Sequence, residues 1–376
     1  MSGFSFLSRR ALPCVLVALF VLQGCGRFAP QVPHEYVYVW ARESWLRDRL
    51  AVVSNRVAEV TNGERLQVVE HGHRFLKVKT DKGEIGWIED HFVIDQSVYD
   101  KFAQMQKENA ASPVIGTAVL RDDYWLRDAP GRTSDRFLLL PENDKLQLLM
   151  RASVPKPQAP PQPVPLPAPG RAGEKPIDRE KAAALTPPDL EDYWLVRDSA
   201  GHVGWVRGRT LDEDVPDAIA GLGEGQKIVG AYVLTKVYDP DANVPGNQVP
   251  EYVAVMAPWK DGLPYDFDQV RVFTWNTRKH RYETAYRERN IVGYLPVTVG
   301  EQTFDKREEP TFSYRVAAGD QPVLDPQTGM VRAGATATES FRMEGVLVHR
   351  IGDAPPASAL AKVPEHREKQ HHKRRG

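Results

Sequence analysis

Few side chains in this 376-residue chain are placed to do covalent chemistry. Both cysteines, Cys14 and Cys25, lie near its start, which excludes a disulfide framework, a four-cysteine zinc site and a thiol nucleophile further along the chain. His71-Gly72-His73 is the nearest approach to a metal pair. Positions i and i+2 of a strand share a face, but Gly72 signals a turn and no third ligand is close in sequence. No Gly-x-Ser-x-Gly elbow or His-Glu-x-x-His pair occurs. Glu308-Glu309 and Asp212-Glu213-Asp214 lie in polar stretches that read as solvated loops. No catalytic residue, cofactor or metal is therefore expected. The candidates that remain are aromatic and cationic, and each occurs twice: Trp45 with Arg47 and Trp125 with Arg127, then Trp87 and Trp205. A guanidinium can form a bidentate pair with a carboxylate, or serve only as an internal bridge to Asp48 or a neighbouring strand. The tryptophans can contact a ligand or close a core.

These pairs belong to an internal repeat. Trp45-Leu46-Arg47-Asp48 returns as Trp125-Leu126-Arg127-Asp128, 80 residues later, and Arg65-Leu66-Gln67-Val68-Val69 is matched by Lys145-Leu146-Gln147-Leu148-Leu149 at the same offset. Phe75-Leu76-Lys77-Val78 and Gly86-Trp87-Ile88 find their counterparts 118 residues on, at Tyr193-Trp194-Leu195-Val196 and Gly204-Trp205-Val206. The second copy thus carries a 38-residue insertion, about 152–190, and eight of the chain's 30 prolines fall between Pro155 and Pro169. Alternation such as Leu66, Val68 and Leu76, Val78, with turn signals at Asn62-Gly63, Asp81-Lys82-Gly83 and Ser199-Ala200-Gly201, gives each copy about five short strands. The expectation is a small barrel that closes on itself and so removes its edges.

The order of these features resembles the bacterial SH3-like domain: an early strand, a Trp-x-Arg segment, a strand pair, then Gly-Trp followed by Val or Ile. Copy two, with Asp128-Ala129-Pro130-Gly131, is closer to the family pattern than copy one, whose Asp48-Arg49-Leu50 lacks the Gly-Pro. The resemblance implies an all-β chain with two SH3-like barrels in tandem, at 36–95 and 114–212, joined by a short helical linker at 96–113. In that linker Ser97 can cap a helix carrying Val98, Phe102 and Met105 on one stripe. After a linker at 213–223, residues 224–351 read as an antiparallel β domain of no recognised family. Its expected strands are Ile228 to Val237, Tyr252 to Met256, Val270 to Trp275, Tyr282 to Tyr286, Tyr294 to Val299, Thr311 to Val316 and Phe341 to His349.

At the start, Arg9-Arg10 precedes an apolar run, Ala11 to Leu22, too short for the roughly 20 residues of a membrane-spanning helix. Leu22-Gln23-Gly24-Cys25 resembles the lipobox of bacterial lipoproteins. This implies a signal peptide at 1–24, a lipid anchor on Cys25, a tether at 25–35 and a periplasm-facing location, with the outer membrane favoured over the inner. Residues 352–376 form a basic tail; from Lys362 on it holds six Lys or Arg against two Glu. A net charge of −1, from 49 basic and 50 acidic residues, gives no global field for phosphate neutralisation, so no nucleic-acid partner is expected. The function these readings imply is non-catalytic binding of peptidoglycan or an envelope protein through Trp45, Arg47, Trp87, Trp125, Arg127 and Trp205. The rivals are a cell-wall hydrolase with its site in 224–351 and a structural assembly scaffold.

Overall fold

The computed structural model describes residues 34–51, 53–157, 189–319 and 322–352. Cys25, most of the Pro-rich insert and the basic tail lie outside them. The chain is all-β, with three seven-stranded antiparallel sheets.

The first sheet comprises β1 (Tyr36–Val39), β2 (Glu43–Arg47), β3 (Arg56–Thr61), β4 (Arg65–His71), β5 (Phe75–Lys79), β6 (Ile85–Glu89) and β7 (Val93–Asp95), in the order β3-β2-β6-β5-β4-β1-β7. Period-2 alternation turns Val37, Val39, Leu46, Val60, Leu66, Val78 and Ile88 into one core. Strands near both ends of the order, β3 and β1, contribute to that core, so the sheet curls around it. It does not close. No ladder joins β3 to β7, which corrects the expectation of five-stranded closed barrels. The edges are managed instead by brevity at β7 and by the exposed, charged Arg56 and Glu59 on β3.

A helix, α1 (Gln96–Glu108), leads to the second sheet: β8 (Gly116–Leu120), β9 (Tyr124–Arg127), β10 (Arg136–Leu140), β11 (Lys145–Pro155), β12 (Leu190–Arg197), β13 (Val203–Arg207) and β14 (Leu211–Glu213). Its order, β10-β9-β13-β12-β11-β8-β14, is the first sheet's order repeated strand for strand. The Gly-Trp segments mark an element common to both. A Cβ on Gly86 would sit 2.8 Å from the Cβ of Leu46, and one on Gly204 would sit 2.7 Å from the Cβ of Leu126. Only glycine lets the two strands approach this closely, because no rotamer can move a neighbour's Cβ away.

Two local expectations shift. Asp95, not Ser97, is the helix N-cap, and it makes no side-chain capping bond. The insert is shorter at both ends than the sequence offset implies. β11 and β12 stay paired out to Pro155 and Leu190, so residues aligned with the insert lengthen the hairpin that in copy one turns tightly at Gly72.

The third sheet follows α2 (Asp217–Ala220), whose Ile219 is buried beneath it. It contains β15 (Lys227–Tyr238), β16 (Gln248–Ala257), β17 (Phe267–Asn276), β18 (Arg281–Phe304), β19 (Arg307–Ala317), β22 (Thr336–Glu344) and β23 (Leu347–Ile351), each bonded to the next, with a small β20 (Val323–Leu324) and β21 (Val331–Arg332) hairpin aside. The segments expected at 282–286 and 294–299 are one 24-residue strand. The segment expected at 341–349 is two strands, turning at Gly345 with φ +62.

The sheets are welded together. Tyr38 of β1 stacks on Tyr99 of α1 at 3.9 Å, and Phe137 of β10 meets both rings edge-on. Asn62 donates to the Phe137 carbonyl at 3.0 Å and accepts from the Leu139 N–H at 2.9 Å, while Arg42 pairs with Asp123. Between the second and third sheets, Arg151 donates to the Tyr265 carbonyl at 2.7 Å, to Asp266 at 2.9 Å and to Asp192 at 2.6 Å. Burial disfavours its charge, but the two carboxylates outweigh that and raise its pKa. One hydrophobic core runs from α1 through the second sheet into the third.

Candidate functional site

In copy one, β2 turns Leu46 into the core and Trp45 and Arg47 outward. On β6, Gly86 and Ile88 face inward and Trp87 outward. The ladders then set four residues in a row across the outer face: Lys77 opposite Trp87, Trp87 opposite Arg47, and Arg47 opposite Arg56. Trp45 lies next to the row, with the Arg56 guanidinium 4.1 Å from its ring centre, and Lys77 Nζ lies 5.7 Å from Trp87. Both indoles are half-buried and Arg47 is exposed. A Cβ on Gly72 would come within 3.0 Å of the Trp87 ring, so the β4–β5 turn lies against that indole and holds it in place.

Arg47 does not bridge to Asp48. Its Nη1 donates to the Ser54 hydroxyl at 3.0 Å, while Asp48 accepts from the Asn55 backbone N–H at 2.9 Å and from its side chain at 3.0 Å. The Asn55 N–H keeps the Asp48 carboxyl below the usual carboxylate range. The row and the adjoining Trp45 together hold three cations and two indoles. Carboxylates flank the row at Glu70, 3.4 Å from Lys77, and at Glu59, opposite Trp45. Cations poised over aromatic faces suit a ligand that carries both flat apolar surface and negative charge.

The same residues in copy two are spent on internal contacts. Trp125 donates its Nε1–H to the Trp40 carbonyl at 3.1 Å and meets the Trp40 ring edge-on at 6.0 Å. Arg136 lies over both rings, at 4.3 Å from Trp40 and 5.5 Å from Trp125. Arg127, partly buried on the same face as Trp125, donates to the Arg132 and Ser134 carbonyls at 3.2 and 2.9 Å. Trp205, 6% exposed, and Val203, 2% exposed, lie on β13, against which α1 packs. Of the six sequence candidates the structure gathers Trp45, Arg47 and Trp87 on one open face, engages the half-buried Trp125 and Arg127 in contacts with Trp40, Arg132 and Ser134, and buries Trp205.

Sequence reasoning missed Arg56, Lys77 and Trp40. A signal for the first was present, since Arg56 and Arg136 stand at the same offset as Arg47 and Arg127.

The other chemical candidates resolve as structural groups. His71 pairs with Glu35 at 2.8 Å, and among the described residues no group of three or more His, Cys, Asp or Glu could hold a metal ion. Ser153 and Lys156 stand in a Ser-x-x-Lys spacing, but on strand β11 and at its end. Ser153 Oγ is buried within hydrogen-bonding distance of Asp192 and the Leu263 carbonyl, and Lys156 pairs with Asp189 at 3.5 Å. In the third sheet Asp239 accepts from Trp275 Nε1 at 2.7 Å and lies 2.9 Å from His280 Nδ1. No hydroxyl is hydrogen-bonded to His280 among the described residues.

No family model matches the chain, and no curated protein matches it. Among solved structures, an NlpC/P60 family protein from Bacillus cereus is 10% identical over 66% of this chain and 93% of that one, at a TM-score of 0.21. NlpC2 from Trichomonas vaginalis is 7% identical over 67% of this chain and 91% of that one, at 0.16. NlpC1 from the same organism is 8% identical over 67% and 87%, at 0.15. At these scores the likeness assigns neither fold nor activity.

Proposed function

We propose that this chain is a lipid-anchored, non-catalytic protein of the bacterial cell envelope whose two SH3-like repeats divide their work. Copy one binds peptidoglycan, and copy two joins copy one to the third sheet. The observation that carries the reading is the outward row Lys77, Trp87, Arg47 and Arg56 beside Trp45. Glycan rings present apolar faces to the two indoles, and the carboxylates of the peptide stems are met by guanidinium groups that form paired hydrogen bonds. Because the cations are solvent-facing, their attraction is screened over a Debye length of about 8–10 Å at ordinary salt, so binding weakens as salt rises.

Two experiments test this. Full-length protein incubated with isolated peptidoglycan sacculi should pellet with them and release no muropeptides. Muropeptide release assigns a hydrolase instead, and neither result assigns the assembly role. Separately, Cys25→Ser should move the protein from the membrane pellet to the soluble periplasmic fraction; retention in the pellet removes the anchor. Two or three acyl chains are needed for stable attachment, since one holds only marginally at about 0.8 kcal/mol per buried methylene.

A further inference from the structure

The third sheet holds a second charged feature, separate from the face of copy one. On β17 and β18, Arg271 stands directly opposite Arg287, and Gln269 opposite Arg289. Like charges directly opposed across a ladder are destabilising. All three guanidiniums converge on one carboxylate. Glu224 Oε2 lies 2.8 Å from Arg271 Nη2 and 3.7 Å from Arg289 Nη2, and its Oε1 accepts from Arg287 Nη2 at 2.7 Å. Arg271 is 1% exposed. Burial, then the neighbouring Arg287 and Arg289, lower its pKa against the opposing pull of Glu224.

The partner is not a buried counter-ion. Glu224 has a side chain 53% exposed and a backbone at φ +51, ψ 45, a left-handed conformation that few non-glycine residues adopt. Beside it is a depression of about 250 Å³ lined by Glu224, Gln226, Asp268, Arg271 and Arg289 among others. Two buried atoms of this group, Arg271 Nε and Gln226 Oε1, have no hydrogen-bond partner among the described residues. The remaining acid, Asp268, accepts from Gln226 Nε2 at 3.1 Å. Three cations, a half-exposed carboxylate held by strained backbone and an unpartnered buried N–H together describe a receptor partly filled by its own side chain.

We propose that Arg271, Arg287 and Arg289 form an oxyanion-binding site and that the Glu224 carboxylate is its resident, displaceable occupant, standing where a phosphate or a ligand carboxylate binds. Glu224→Gln keeps the shape of the side chain and removes the competing charge.

The full chain is titrated with inorganic phosphate and separately with acetate, followed by calorimetry, with circular dichroism confirming the fold of each variant. Glu224→Gln should bind at least one of the two anions ten-fold or more tighter than the unaltered chain. Tightening toward phosphate alone assigns a phosphate site, toward acetate alone a carboxylate site, and toward both an unselective oxyanion site. Adding Arg289→Gln to Glu224→Gln should abolish the gain; Arg289 is more than half exposed, so this variant does not unsettle the core. Glu224→Gln binding neither anion more tightly, or a gain that survives Arg289→Gln, overturns the proposal.

Discussion

At the scale of single residues, charge placement decides what each side chain can do. Glu191 is fully buried on β12, and its carboxylate is held by Arg132 at 3.0 Å, Arg207 at 2.5 Å and the Tyr193 hydroxyl at 3.0 Å. Burial alone would raise its pKa, but these partners outweigh it and the carboxyl stays below the usual range. Asp123 is lowered too, first by Arg42 across the junction of the two copies. A carboxyl depressed in the folded state adds stability that is complete above its unfolded pKa, about 4, and is lost as pH falls through the folded value. The melting temperature should therefore be level near neutrality and fall below about pH 4. Glu191→Gln should lower it at pH 7 and flatten the acid limb. Thermal melts between pH 7 and 3 check this, and an acid limb unchanged in Glu191→Gln contradicts it.

At the scale of elements, α1 is what makes two like sheets unlike. Its Phe102 and Met105 are buried, and Tyr99 stacks on Tyr38 while Phe102 meets Phe137 at 5.7 Å. The helix packs on β13, where Trp205 is 6% exposed, whereas among the described residues no helix packs on β6 and Trp87 stays half-exposed. Phe102→Ala should cost about 3 kcal/mol and open this contact. Acrylamide quenching of tryptophan fluorescence should rise with it, and unchanged quenching would place the cover of Trp205 elsewhere. The stripe of Val98, Phe102 and Met105 was legible because helical spacing alone makes it. The long β18 was not. Its middle, Arg287-Glu288-Arg289-Asn290, is polar and shows no strand alternation, yet the structure carries the strand through it, with a left-handed residue at Asn290 (φ +60). Glu288 accepts from the Tyr286 and Tyr314 hydroxyls at 2.7 and 2.9 Å, and Arg287 and Arg289 reach Glu224. Period-2 apolar alternation cannot reveal a strand whose side chains are occupied by ion pairs.

At the scale of the whole molecule, the repeat was readable because two of its signals are geometric. Gly86 and Gly204 permit the crossing over Leu46 and Leu126, and the Trp-x-Arg spacing sets two side chains on one face of a strand. Identical motifs could not reveal their different fates, since exposure depends on what the rest of the chain lays over them. Trp40 and Asn62 of copy one reach across to Trp125 and Phe137, and Arg151 ties copy two to Leu263, Tyr265 and Asp266 of the third sheet. These contacts join residues 75 to 115 positions apart, beyond any local pattern. Copy two is thereby a structural hub, and the face of copy one that carries Trp45, Arg47 and Trp87 stays open, as the proposed binding role requires. The most direct test is co-sedimentation of the full chain with peptidoglycan sacculi, comparing the unaltered protein with the double charge reversal Arg47→Glu, Lys77→Glu. The account predicts at least a ten-fold loss of affinity, a shallower salt dependence and an unchanged melting temperature; undiminished sedimentation by a stably folded variant would contradict it.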